Sequence, residues 1–250
     1  MTFWASVVLA IVAALLYQAR GVIGVIFCDA KMQAGDYPGA LRRLRWTSLG
    51  IPNAVVLHKE GLILALAGRP AEAASCYRKA LGMVPGGSSY PRERLLALLG
   101  YALIDLARYD EAEQCFQQAI EADDRTGNPQ DGLAESRLVR GVEAGQALAF
   151  TCQAIEHAKG RADGRVPGTC YALQAWALAL LGRSAEVDAA LAQALHVPEP
   201  NPRVSASLHW RAGMALLALR QTEEARQHFQ TAYDLDPRGK YGSRSRQHLA

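Results

Sequence analysis

Apolar residues recur along this chain at intervals of three and four, the spacing of one helix face, and alternation is rare. Four segments show the pattern: "LHKEGLILALAGR" from Leu57, "LLALLGYALIDLAR" from Leu95, "YALQAWALALLGR" from Tyr171 and "HWRAGMALLALRQ" from His209. Each predicts an amphipathic helix with a small residue midway, at Gly61, Gly100, Ala175 and Gly213. Each closes on "GR", "AR" or "LR", where a short turn is expected. A second helical segment follows every one: "AEAASCYRKALGMVP" from Ala71, "DEAEQCFQQAIEAD" from Asp110, "AEVDAALAQALHVP" from Ala185 and "EEARQHFQTAYDLDP" from Glu223. Ala and Leu dominate, and β-branched runs are scarce beyond the N-terminus, so the expected class is all-α.

The copies align on Ala80, Ala119, Ala194 and Ala232, in steps of 39, 75 and 38 residues. The middle step is close to twice the others, so a degenerate copy is expected around residues 129–160, with Ala154 of "TCQAI" as its marker. "RTGNPQDG" (Arg125–Gly132) and "KGRADGRVPG" (Lys159–Gly168) bracket it and read as loops or a flexible joint. A fainter N-terminal copy carries Gly35, Asp36, Tyr37, Ala40, Leu44 and Pro52.

These positions resemble the tetratricopeptide repeat, a helix–turn–helix of roughly 34 residues. One copy supplies Leu57, Gly61, Leu64, Gly68, Ala73, Tyr77, Ala80 and Pro85. The next supplies Leu96, Leu99, Gly100, Leu103, Ala112, Phe116 and Ala119, with Asp124 where the family has Pro. A weaker copy has Ala175, Leu178, Gly182, Leu191, Ala194 and Leu195, and the last has Gly213, Leu216, Ala225, Phe229, Ala232 and Pro237. The resemblance implies a right-handed superhelical solenoid of about six helical hairpins over residues 21–250. No repeat buries its apolar face alone, so stacking makes the core.

The resemblance also implies a concave groove, lined by the first helix of each hairpin, that holds a partner peptide or helix. The residues projected onto it are His58, Leu62, Arg94, Tyr101, Asp105, Trp176, Trp210 and Met214, an apolar and aromatic set of the kind that anchors interfaces. A space-filling role for Trp176 and Trp210 stays open beside this. The family's carboxylate clamp needs Lys, Asn and Arg at inner positions that here hold His58, Leu62, Ala97, Tyr101, Ala172 and Trp176, so chaperone-tail binding is disfavoured.

The first twenty residues depart from the repeat. Phe3–Tyr17 is uncharged and lacks Gly and Pro. Its fifteen residues reach about 22 Å, against a hydrocarbon core of about 30 Å. Snorkelling of Arg20 would extend the span. Arg20, Lys31, Arg42, Arg43 and Arg45 all follow it, which predicts a single-pass N-terminal anchor at residues 1–20 with the repeat body in the cytoplasm. A cleaved signal peptide on an exported periplasmic assembly factor is the alternative, and a first solenoid helix buried by its neighbours is another.

Charge and chemistry narrow the function further. A net charge of +3 is too small to argue for nucleic acid. Cys28, Cys76, Cys115, Cys152 and Cys170 form no CxxC pair, so neither a disulfide framework nor a zinc site is expected. No HExxH, P-loop or GxGxxG occurs, and the histidines form no pair at metal-ligand spacing. Asp110, Glu111, Glu223 and Glu224 start helices, where the dipole favours acids. No catalytic, cofactor or metal residue is assigned. The expectation is a non-enzymatic interaction scaffold, with no cofactor and a protein partner. The tail "RGKYGSRSRQHLA" has four basic residues and no acid, and reads as a solvated capping helix.

Overall fold

The computed structural model describes residues 7–8, 28–48, 53–84, 90–122, 128–197 and 199–249. Among these residues every regular element is a helix. They pair in order: α1 (residues 28–33) with α2 (Tyr37–Thr47), α3 (Ala54–Leu66) with α4 (Pro70–Met83), and α5 (Arg92–Asp105) with α6 (Tyr109–Glu121). Then follow α7 (Asn128–Arg140) with α8 (Ala144–Lys159), α9 (Gly168–Leu180) with α10 (Ser184–His196), and α11 (Pro202–Ala218) with α12 (Thr222–Leu235). A short α13 (Lys240–Arg246) ends the described chain. Successive odd-numbered helices from α3 to α11 touch one another as well as their own partners, so they form the inner layer of a solenoid.

One turn geometry makes all six hairpins. Besides Glu143 between α7 and α8, at φ 51°, a residue enters the left-handed region just after the first helix of each: Gly35, Gly68, Ala107, Gly141, Gly182 and Arg220. The residue after it donates its backbone N–H back across the turn, as Arg69 does to Leu64 O (2.9 Å) and Gln221 to Leu216 O (3.0 Å). This is the Schellman closure, which satisfies carbonyls that a helix end leaves orphaned. At the start of α4, α6 and α10 an Arg pairs with the Glu three residues on: Arg69–Glu72, Arg108–Glu111 and Arg183–Glu186.

Mid-helix glycines let the hairpin close around an aromatic ring. A Cβ at Gly61 would lie 2.6 Å from Tyr77 Cε1, one at Gly100 2.6 Å from Phe116 Cε1, and one at Gly213 2.7 Å from Phe229 Cε1. Tyr77, Phe116 and Phe229 are fully buried knobs, and Ala80, Ala119 and Ala232 are buried a turn further on.

Two expectations are corrected. Residues 1–20 lie outside the described chain except for residues 7–8, and no described helix is long and apolar enough to cross a membrane. The longest, α11, has 17 residues, about 26 Å, and carries Arg203 and Arg211. A single-pass anchor with a cytoplasmic body is therefore not supported. The stretch at Arg125–Gly132, read as a loop, already belongs to α7 from Asn128 onward. Gly132 serves here inside a helix and not as a turn residue, because a ring needs its space: a Cβ there would lie 2.3 Å from Phe116 Cε1.

Candidate functional site

The centre of the inner layer is charged. α7 buries Gln130, Asp131, Glu135 and Ser136, whereas α5 and α9 bury mostly Leu, Ala and Trp. Asp131 and Glu135 are four residues apart, so one helix face carries both carboxylates. Glu135 is fully enclosed and accepts from Arg211 Nη2 of α11 at 2.5 Å. Arg211 Nη1 donates to Ser207 Oγ at 2.9 Å, one turn back on its own helix. Asp131 Oδ2 accepts from the Cys170 thiol at 3.1 Å.

Over this layer lies α13. Lys240 Nζ is 2.9 Å from Asp105 Oδ1, at the end of α5. Arg244 Nη2 donates to the same oxygen at 2.5 Å, and its Nη1 lies 3.5 Å from Glu135 Oε1. The Arg244 guanidinium sits 4.8 Å above the Trp210 ring, a cation–π distance. Trp210 meets Trp176 edge-on at 5.6 Å and Tyr241 at 5.8 Å. Two glycines allow the tail to fold back so tightly. A Cβ at Gly242 would lie 2.0 Å from Asp236 O, and one at Gly239 1.8 Å from Asp236 Oδ2.

Environment pushes the two α7 carboxyls in opposite directions. Burial alone would raise Glu135, but Arg211, Lys240 and Arg244 outweigh it and hold the carboxyl at about 2. For Asp131 burial prevails over the Cys170 hydrogen bond and Arg211, and the carboxyl is pushed up to about 6. Burial disfavours charge on Lys240 too, yet Asp105, Tyr241 and Glu135 leave its ammonium raised overall.

The first and last hairpins also meet. Tyr37 Oη donates to Asp236 Oδ1 at 3.0 Å, and Arg203 Nη1 donates to Met32 O at 2.6 Å.

Models of the tetratricopeptide repeat match residues 64–135 and 206–238. Those two stretches therefore match the tetratricopeptide repeat. A tetratricopeptide repeat protein of Parabacteroides merdae is similar over 93% of this chain and 82% of its own, at 20% identity and a TM-score of 0.65. A thermophilic repeat protein of Thermus thermophilus matches 78% of this chain and 98% of its own, at 20% identity and a TM-score of 0.54. The Cut9–Hcn1 hetero-tetramer structure matches 92% of this chain and 43% of its own, at 15% identity and a TM-score of 0.65. At these identities the likeness is one of fold. No curated protein sequence matches the chain at a significant level.

The residues projected from sequence onto the groove of these repeats fall into two groups. Tyr101, Asp105, Trp176, Trp210 and Met214 lie on α5, α9 and α11 around or near α13. In this arrangement Trp176 and Trp210 are 3% and 5% exposed, and Trp210 lies beneath Arg244 and Tyr241. His58, Leu62 and Arg94 form a separate patch. His58 Nδ1 is 2.7 Å from Tyr90 Oη, and burial with the Arg94 and Lys59 charges pushes the imidazole down to about 4. Sequence reasoning missed Asp131, Glu135, Arg211, Lys240 and Arg244. The available signal was complementary: two acids four apart in the worn repeat, and a tail rich in bases.

Proposed function

We propose that the chain is a non-enzymatic interaction scaffold that holds a segment of a partner protein against the inner face of its repeats. The observation that carries this reading is that the inner face gathers Tyr101, Asp105, Glu135 and Trp210 from three repeats and already receives a helix there. Aromatic rings beside desolvated charges are the composition of binding hot spots. Tetratricopeptide repeats generally act this way, and the similar Cut9–Hcn1 structure is itself an assembly of two kinds of chain. The inner charges serve as ion-pair partners of one another, and the Cys170 thiol beside Asp131 is buried, with burial and that carboxylate pushing its pKa up and away from the thiolate.

Site-specific photocrosslinking tests the reading. A photoreactive residue at half-buried Leu62 or Met214 should capture a partner, whereas one at exposed Gln118 of α6 or Gln193 of α10 should not. Capture from the outer positions alone would refute inner-face binding.

A further inference from the structure

The helix lying on the inner face shows what chemistry that face accepts. α13 puts Lys240 and Arg244 four residues apart, so both cations leave the same side. They meet carboxylates from two repeats, Asp105 at 2.9 and 2.5 Å and Glu135 at 3.5 Å, over the Trp210 ring. Two layers of charge are distinguishable here. The lower pair, Glu135 and Arg211, is sealed at 0% and 7% side-chain exposure. The tail cations above it keep contact with solvent, Lys240 at 14% and Arg244 at 21%. The fit of the tail is also incomplete: among the described residues, Trp210 Nε1 on the inner face and Asp131 Oδ1 on the α7 face are buried with no hydrogen-bond partner. Unpaired buried polar atoms are costly, so a segment that satisfied them would bind better than the tail does.

We propose that Asp105, Glu135 and Trp210 form a docking site for a basic helical segment of another protein. That segment carries two cations four residues apart with an aromatic beside the first, and α13 occupies the site as a built-in stand-in for it. The proposal rests on the inner-face scaffold reading and adds to it the charge and spacing of the partner. The tethered tail competes at an effective concentration on the order of millimolar, so the intact chain resists free ligand until the tail is displaced.

The test uses the full chain and a labelled synthetic peptide of residues 237–250 as the probe. Two variants release the tail by different means. Gly242→Val drives a side chain into Asp236 O and keeps the tail charges, whereas Lys240→Glu with Arg244→Glu reverses them. Both should bind the peptide at least about tenfold more tightly than the wild-type chain. Adding Asp105→Asn, or reversing both cations in the peptide, should abolish the gain. Unchanged peptide affinity in both variants overturns the proposal, and if crosslinking still captures a partner from the inner face, the scaffold reading survives that failure. Loss of the cooperative melt in both variants also overturns it, because the tail is then core and not an occupant. A wild-type dimer that becomes monomeric on Gly242→Val overturns it in favour of a tail exchanged between copies.

Discussion

At the six hairpin turns, four glycines and two other residues perform the same left-handed step. A Cβ at Gly182 would meet nothing within 4 Å, so an alanine there is penalised by its backbone alone, by about 1 kcal/mol. Ala107 and Arg220 already bear that cost at φ 55° and 64°. Thermal melts should show Gly182→Ala less stable and Ala107→Gly more stable, the latter by somewhat less than 1 kcal/mol because glycine gains freedom when unfolded. A second residue-scale prediction concerns Asp131. Its carboxyl titrates at 3.8 in the unfolded chain and at about 6 when folded. Below pH 3.8 both states are protonated and nothing is lost. As pH rises from 3.8 to 6 the unfolded state ionises first, so stability falls and then levels off. Asp131→Asn keeps an acceptor for the Cys170 thiol and lacks this loss. Its melting temperature should exceed that of the wild type at pH 8, with the difference vanishing near pH 4.

Between elements, the decisive contacts join glycine to aromatic ring. Phe116 of α6 is held between Gly100 of α5 and Gly132 of α7, so one ring sets the approach of three helices. Gly132→Ala places a methyl 2.3 Å from that ring in a sealed space and should cost about 1–3 kcal/mol. Ala119→Trp, at a fully buried position of α6, should cost at least as much. Gly82→Ala in α4 is the control, because nothing lies within 4 Å of its Cβ, and helix propensity there should add up to about 1 kcal/mol. Equal shifts for Gly132→Ala and Gly82→Ala in urea melts would contradict the wedge. The glycines of "LHKEGL", "LLGYAL" and "RAGMAL" were legible because they recur at one place in the repeat. Gly132 was not, because its neighbours are the polar residues Gln130, Asp131 and Glu135, which break the apolar pattern of the helix.

Over the whole molecule, the solenoid curls until its first hairpin meets its last and its tail covers its inner face. Trp210 therefore has a structural part whatever else it does. Trp210→Ala removes a buried ring from beneath Arg244 and Tyr241 and should lower stability by about 3–5 kcal/mol. It should also hasten tryptic cleavage after Lys240 and Arg244, which the folded tail protects. An unchanged melt with unchanged cleavage would remove Trp210 from the core.

The sequence by itself determined the helices, the hairpin turns and the stacking of repeats. All three follow from local spacing: apolar residues every three to four positions, a glycine at four of the six left-handed turns, and a small residue opposite a ring. It also projected Tyr101, Asp105, Trp176 and Trp210 onto one face, since position within a repeat sets which face a side chain takes. Only the tertiary structure decided what those residues meet. Asp105 and Arg244 are 139 positions apart, Glu135 and Arg211 are 76 apart, and Tyr37 and Asp236 are 199 apart. Such pairs depend on the accumulated curvature of the whole stack, a sum of small rotations at every repeat interface that no single repeat encodes. The same curvature turned a basic tail that read as a solvated cap into the helix that covers the inner face.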